Sequence, residues 1–297
     1  MKICICTTPI RPIPTTYPPF GSMAIIQSLK KIDINCELYN IDYHRYSREE
    51  VREHFKLNHY KVVAISAVVS TAYAYTKFLA KTIKSVSPNT IIILGGNLAA
   101  SAEILLRLAD IDFCVAGDGE FVIQDLVLHI KDNKNASPKN LYKKIPGIAF
   151  IDDKDKFYFT GFGKKPTADE IEIPDYSILE RDDSLQHFIP KNDANGEFNA
   201  TVISAKGCVA RCTFCHRWEK GYRVQPVDKV INHIKDLNLN YKVKHIIFGD
   251  ENFGADREYT RILVKELGKL NITWEASGVR VRTVQLDDLK LWKSMQP

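Results

Sequence analysis

Short runs of Val, Ile, Leu, Ala and Cys recur through residues 1–130, each followed by a segment whose apolar positions return every three or four residues. The first kind of run fits a strand buried on both faces, and the second an amphipathic helix. Residues 2–6, 36–41, 62–65, 90–94 and 112–115 read as strands. Between them, residues 21–31 read as a helix, and Ser47 with Glu50 has the capping-box spacing that opens a helix toward Leu57. Tyr75, Phe78, Leu79, Thr82, Ile83 and Val86 share one face of the next helix, and a last one runs from Glu120 to about residue 131. Strands alternating with helices predict an α/β fold with a doubly wound parallel sheet.

Such a sheet binds its ligand beyond the carboxyl ends of the strands, where the strand order switches. Loops 9–21, 42–47, 66–71, 95–98 and 117–120 fall at those ends. Their glycines would let a large planar or phosphate-bearing ligand approach the backbone. No G-x-G-x-x-G follows the first strand, which disfavours a dinucleotide.

Residues 132–199 read as linking structure. They include a β-hairpin made by 145–151 and 156–160 and an irregular stretch over 182–198. The alternation resumes with strands at 200–205, 245–248 and 272–277 and helices at 227–237, from Asp256 and from Leu286. The domain expectation is therefore 1–131, a linker at 132–199, and 200–297.

Composition narrows the class. A chain of 297 residues has room for about two domains. Its net charge of +5 is too mild to argue for nucleic acid. No apolar run approaches the ~18 residues of a membrane span, and the start interrupts its short apolar stretch with Thr7, Thr8 and Pro9, unlike a secretory signal. Seven cysteines are an ordinary intracellular count, so a cytoplasmic protein is expected, with no membrane partner.

Three of those cysteines, Cys208, Cys212 and Cys215, stand in eight residues at C-x3-C-x2-C spacing. Cysteines so close in one tight loop pair poorly as disulfides. A structural zinc with His216 as fourth ligand is the alternative, but zinc sites usually come as two separated ligand pairs. A [4Fe–4S] cube normally takes four thiolates, so three suggest one open iron. This run resembles the signature of the radical S-adenosylmethionine (SAM) superfamily. The resemblance implies a cluster on Cys208, Cys212 and Cys215, SAM on the open iron, and reductive cleavage of SAM to a 5′-deoxyadenosyl radical. Phe214 stands where relatives carry an aromatic near the adenine, or else packs the loop. Asp250 and Glu251 resemble the family's acidic motif at the end of the second barrel strand, where they would accept from the methionyl amino group. They equally fit a helix-start signal.

Tyr17-Pro18-Pro19-Phe20-Gly21, Asn40-Ile41-Asp42, Leu94-Gly95-Gly96-Asn97 and Gly117-Asp118-Gly119-Glu120, in that order, resemble the cobalamin-binding domain found ahead of many radical SAM domains. That resemblance implies cobalamin against Ser66, Ser70, Thr71, Gly95, Gly96, Gly117, Asp118, Gly119 and Glu120, and methyl transfer to an unactivated carbon as one outcome. His44 imitates the cobalt-ligating motif of other cobalamin proteins but follows the second strand, and it reads as a solvated loop residue. A (β/α)6 barrel of this family needs about 30 residues per unit. Residues 200–297 therefore read as its first half: a fragment, a truncated product, or part of a split enzyme completed by a second chain. The implied partners are a substrate and an electron donor such as flavodoxin or ferredoxin. Two further readings are a non-catalytic cobalamin or iron–sulfur module and a tRNA methylthiotransferase relative. The latter would need cluster cysteines in the first domain, where Cys4, Cys6, Cys36 and Cys114 look like core residues.

Overall fold

The computed structural model describes residues 1–132, 139–192, 196–215 and 221–296. They form two compact units, Met1–Thr15 with Pro19–Pro166, and Thr16–Pro18 with Thr167–Pro297.

In the first unit, β1 (Ile3–Thr7), β2 (Cys36–Tyr39), β3 (Val62–Ser66), β4 (Ile91–Gly95) and β5 (Phe113–Val115) pair in parallel. Their order is β2-β1-β3-β4-β5, so the winding reverses at β1. Helices α1 (Phe20–Lys30), α2 (Ile41–His44), α3 (Arg48–Leu57), α4 (Tyr73–Val86), α5 (Ala102–Leu108) and α6 (Glu120–Asp132) fill the connections. Every residue of β1 is buried, which is why its sequence runs apolar without alternation. Ser47 and Glu50 close the capping box that opens α3, at 3.2 and 2.7 Å. The ring of Tyr39 lies between Tyr46 and His54, with centroids 4.8 and 3.9 Å away, and packs α3 onto β2.

The hairpin β6 (Ile148–Ile151) and β7 (Phe157–Phe159) continues this same sheet, antiparallel, with Cys114 opposite Ala149. The sequence reading set it in the linker. Ile148, Ala149 and Phe150 are buried in the sheet, and the pairing covers the edge that β5 would otherwise expose.

The second unit holds the short helix α7 (Ser177–Arg181) and, within the stretch 182–198 expected to be irregular, the short helix α8 (Leu185–Phe188). Strands β8 (Phe198–Val202), β9 (Ala205–Cys208), β10 (Gly221–Val224), β11 (Val243–Phe248) and β12 (Thr273–Ala276) follow, with helices α9 (Val227–Tyr241), α10 (Arg257–Leu267) and α11 (Leu286–Ser294). β8, β11 and β12 form a parallel sheet in the order β12-β11-β8, while β9 and β10 pair antiparallel as a separate ribbon. The apolar run read as one strand over 200–205 thus breaks at Ile203 and Ser204, and the chain leaves the sheet there.

Val230, Ile231, Ile234 and Leu237 form the buried stripe of α9. Each such aliphatic side chain stabilises by about 1.5–3 kcal/mol on burial. Asp256 caps α10 by accepting from Tyr259 N at 3.0 Å. Buried Asp288 joins α11 to α10 through Arg257 at 2.7 Å and Arg261 at 3.2 Å.

Two predictions follow from these positions. Gly96 has φ +85°, and a Cβ there would lie 2.5 Å from the Ala67 carbonyl oxygen. Gly96→Ala should lower the urea unfolding free energy by about 1–3 kcal/mol. Gly95→Ala, whose Cβ meets nothing within 4 Å, should change it by less than about 1 kcal/mol.

His233 is buried on α9, and burial pushes its imidazole down from 6.5 to about 4, against a smaller upward pull from Asp236. With the folded pKa below the unfolded one, its contribution is present above pH 6.5 and lost as the pH falls toward 4. By pH 5 the loss is about 2 kcal/mol. His233→Gln should therefore show a smaller drop in Tm between pH 7 and pH 5 than the parent, measured by circular dichroism.

Candidate cofactor sites

Parallel pairing puts the loops after β1, β3, β4 and β5 along one edge of the first sheet. Ser66 ends β3 opposite Gly95, which ends β4. The loops are tied together: Ala67 N donates to Gly95 O at 3.0 Å, Leu98 N to Ala67 O at 3.1 Å, and Thr71 Oγ1 to Ile10 O at 3.1 Å. Ser70 and Thr71 lie exposed in a single turn before α4. Gly117 has φ +79°, and a Cβ on Gly119 would lie 3.1 Å from the Ile25 side chain. Asp118 is half-buried beside them, and Glu120 begins α6, its carbonyl accepting from Ser28 Oγ. Of the sequence candidates, Ser66, Gly95 and Gly96 come together on neighbouring strand ends.

This edge has the form of a cradle. Open space lies over the Cα of Gly95, and Val68 and Val69 expose apolar surface beside it although they follow a buried strand. Both lie inside the 66–71 loop that the sequence already places at this edge, as an apolar pair continuing past the end of β3. A bare glycine, an apolar shelf and two hydroxyls fit a large flat ligand with polar substituents.

The loop after β1 is latched from beside β2. Thr7 Oγ1 donates to Asn40 Oδ1 at 2.8 Å and accepts from Asp42 N at 3.0 Å. Asp42 in turn accepts from Thr15 N and Oγ1 at 3.0 and 2.6 Å. Asn40 and Asp42, quoted above as part of a motif, thus shape the loop. His44 is half-buried rather than solvated, its ring 4.7 Å from Tyr43 and 5.0 Å from Tyr46.

In the second unit the cysteines sit at the tip of the β9–β10 ribbon. Cys208 ends β9 opposite Gly221, which begins β10. It is buried, and its sulfur accepts from Ala210 N at 3.4 Å. Cys215 N donates to Cys212 O at 3.2 Å in a turn that leaves Cys212 half-buried and Cys215 exposed. Phe214 is 90% exposed, so it does not pack the loop against the strands. Among the described residues, no three His, Cys, Asp or Glu side chains are already gathered as a metal-holding group. The donor set itself is three thiols on one short loop with a backbone N–H aimed at one sulfur, the chemistry an iron–sulfur cluster takes. His216 lies outside the described residues.

The two acids after β11 part company. Asp250 is buried: its Oδ1 accepts from Ser204 N at 2.7 Å and Ala205 N at 3.2 Å, and its Oδ2 takes the Ser204 hydroxyl. Burial raises its carboxyl to about 6 in spite of these donors. Glu251 is exposed at the same strand end. The ends of β11 and β12 approach closely, since a Cβ on Gly278 would lie 2.5 Å from Asp250 O.

Comparison with known proteins bears on both units. Residues 8–127 match the family model for the B12 binding domain, and residues 202–295 that for the radical SAM superfamily. The chain is 27% identical over 300 residues to the uncharacterized methyltransferase PH0819 of Pyrococcus horikoshii, covering 95% of this chain and 61% of that protein. It is 26% identical over 248 residues to the anaerobic magnesium-protoporphyrin IX monomethyl ester cyclase of Rubrivivax gelatinosus, covering 81% and 42%. Among solved structures, the cobalamin-dependent SAM radical enzyme OxsB, with aqua-cobalamin and SAM bound, superposes with a TM-score of 0.72 at 16% identity, over 98% of this chain and 41% of its own. The radical SAM methyltransferase TsrM from Kitasatospora setae gives 0.68 at 12% identity, over 90% and 51%. The chain therefore spans about half the length of these relatives. With both matches falling on the units that carry the two candidate sites, the chain belongs to the radical SAM superfamily and has an N-terminal B12 binding domain.

Proposed function

We propose that this chain is the cofactor-handling part of a cobalamin-dependent radical SAM enzyme. Cys208, Cys212 and Cys215 hold a [4Fe–4S] cluster with one iron left for SAM, and the strand-end cradle of the first unit holds cobalamin. The observation that carries this reading is the three-cysteine loop at the tip of the β9–β10 ribbon, inside the residues matched as radical SAM. When bound, these groups supply reductive cleavage of SAM to methionine and a 5′-deoxyadenosyl radical, and a methyl group for an unactivated carbon.

The chain's own residues bind and orient. The Ala210 N–H steadies negative charge on the Cys208 sulfur, as a donor to an ionised acceptor does. Exposed Cys215 and Phe214 stand at the outer side of the loop, where an adenine-bearing ligand would meet the aromatic ring. In the first unit, Val68 and Val69 offer apolar contact, Gly95 leaves room, and Ser70 and Thr71 offer hydroxyls to polar substituents. Gly117, Asp118, Gly119 and Glu120 line the neighbouring loop.

Residues 1–131 are read as the cobalamin-binding part and 200–297 as the radical SAM part, with 132–199 between them. Radical SAM chemistry requires an electron donor and a substrate; flavodoxin or ferredoxin is the proposed donor. No helix among the described residues is long and apolar enough to cross a membrane. A reducing cytoplasm is the proposed setting, because it suits an open-iron cluster. Methyl transfer is the proposed outcome, and the cyclase relative makes ring closure the second reading.

Anaerobic reconstitution with iron and sulfide should load about four iron atoms per chain. Cys208→Ala, Cys212→Ala and Cys215→Ala should each abolish the cluster, and the loaded parent should release 5′-deoxyadenosine from SAM. A cluster that forms without SAM cleavage, with or without further barrel strands supplied, would sink the enzyme reading. Gly95→Leu should fold as the parent does, by circular dichroism, yet weaken hydroxocobalamin binding roughly tenfold or more, about 1.4 kcal/mol, by filling the open space. Unchanged affinity in an absorbance titration would move cobalamin away from this edge.

A further inference from the structure

The corner where the chain leaves β8 is held by side chains from three other segments. Asp250, beyond the end of β11, takes the N–H groups of Ser204 and Ala205 and the Ser204 hydroxyl. Gln225, just after β10, donates its Nε2 to Ile203 O at 2.7 Å and its N–H to Ser204 O at 2.9 Å. Tyr259, on α10, donates its hydroxyl to Ser204 O at 3.3 Å. Only Lys206 and Gly207 then separate this knot from Cys208, and Ala205–Cys208 form β9, paired to β10. The ribbon is therefore a short lever with a fixed base and the cysteine loop at its tip.

We infer that Asp250 is a positioning residue: by locking the Ile203–Ala205 corner, it sets the direction of the ribbon and hence the place of Cys208. The inference rests on the reading of the cysteine loop as a cluster site. Asp250 acts here through backbone and not on SAM. A buried carboxylate is an expensive way to tie a loop unless its acceptor geometry is used, and Oδ1 serves two adjacent N–H groups at once. Asparagine keeps that oxygen and can donate to the Ser204 hydroxyl, whereas alanine leaves two buried N–H groups unpaired.

The test compares the full-length parent with Asp250→Asn and Asp250→Ala. With metal chelated and thiols reduced, iodoacetamide labelling is followed at each cysteine by mass spectrometry. In the parent, buried Cys208 should react more slowly than exposed Cys215. In Asp250→Ala, labelling of Cys208 should rise roughly tenfold, while Cys212 and Cys215 change less than about twofold. Asp250→Asn should stay within about twofold of the parent. After reconstitution, the change that SAM induces in the electron paramagnetic resonance signal of the reduced cluster should weaken at least about fivefold in Asp250→Ala and persist in Asp250→Asn. If Asp250→Ala does not fold, Gln225→Ala, which frees only one carbonyl of the corner, takes its place with the same Cys208-specific acceleration expected.

Cys208 labelling unchanged in a folded alanine variant overturns the inference, and so does an Asp250→Asn protein that behaves like the alanine one. A parent that takes up no cluster overturns the proposed function instead, and the labelling comparison still reports on Asp250.

Discussion

Parallel pairing is the constraint on which the rest of this molecule depends. A parallel strand must be followed by a crossover, so each strand's carboxyl end opens into a loop on the same edge of its sheet. In the first unit that edge gathers Ser66, Gly95, Gly96 and the Gly117–Glu120 stretch. In the second it gathers the β8–β9 corner, Asp250 and the turn at Gly278. The residues with chemical potential are scattered over more than 200 positions of sequence, and it is the strand direction that collects them.

Loops at such an edge carry backbone groups that no neighbouring strand can pair, and an unpaired buried group costs about 1–3 kcal/mol. Both units meet this with the same device, an aspartate placed just beyond a strand. Asp42, following β2, accepts from the backbone and hydroxyl of Thr15 and so shapes the loop after β1. Asp250, following β11, accepts from the backbone and hydroxyl of Ser204 and so shapes the corner after β8. In each case the latch comes from the end of a strand adjacent to the one whose loop it holds. The short polar residue supplies hydrogen bonds where regular pairing stops.

These latches also explain what could be read from sequence and what could not. Strands β1, β3, β4 and β5 were legible because they are largely buried and their composition marks them, and the edge strand β2 was legible from its place in the alternation. The end of β8 was not, because residues 200–205 are all small or β-branched and no Gly or Pro interrupts them. The break is imposed by Asp250, 46 positions from Ser204, and period-based reading has no access to that partner. The hairpin β6–β7 was legible as a hairpin, but its attachment depends on the open edge of β5, which is again non-local. At the candidate sites, cysteine identity and spacing were plain. The exposure of Phe214 and the open space over Gly95 were not, since both depend on what the surrounding chain leaves uncovered.

The neighbouring acids Asp250 and Glu251 show how far a motif can be taken without a structure. As a dipeptide they look interchangeable, two carboxylates at the end of a barrel strand, equally suited to accept from an ammonium group. The fold makes them different reagents. The carboxylate of Asp250 faces inward, has donors on both oxygens, and is lifted by burial to about 6. Glu251 faces outward at the same strand end. A cationic group approaching this edge from solvent meets Glu251 first, and to reach Asp250 it would have to displace the corner that carries Cys208. One acid of the motif thus holds the corner, and the other keeps its carboxylate toward solvent.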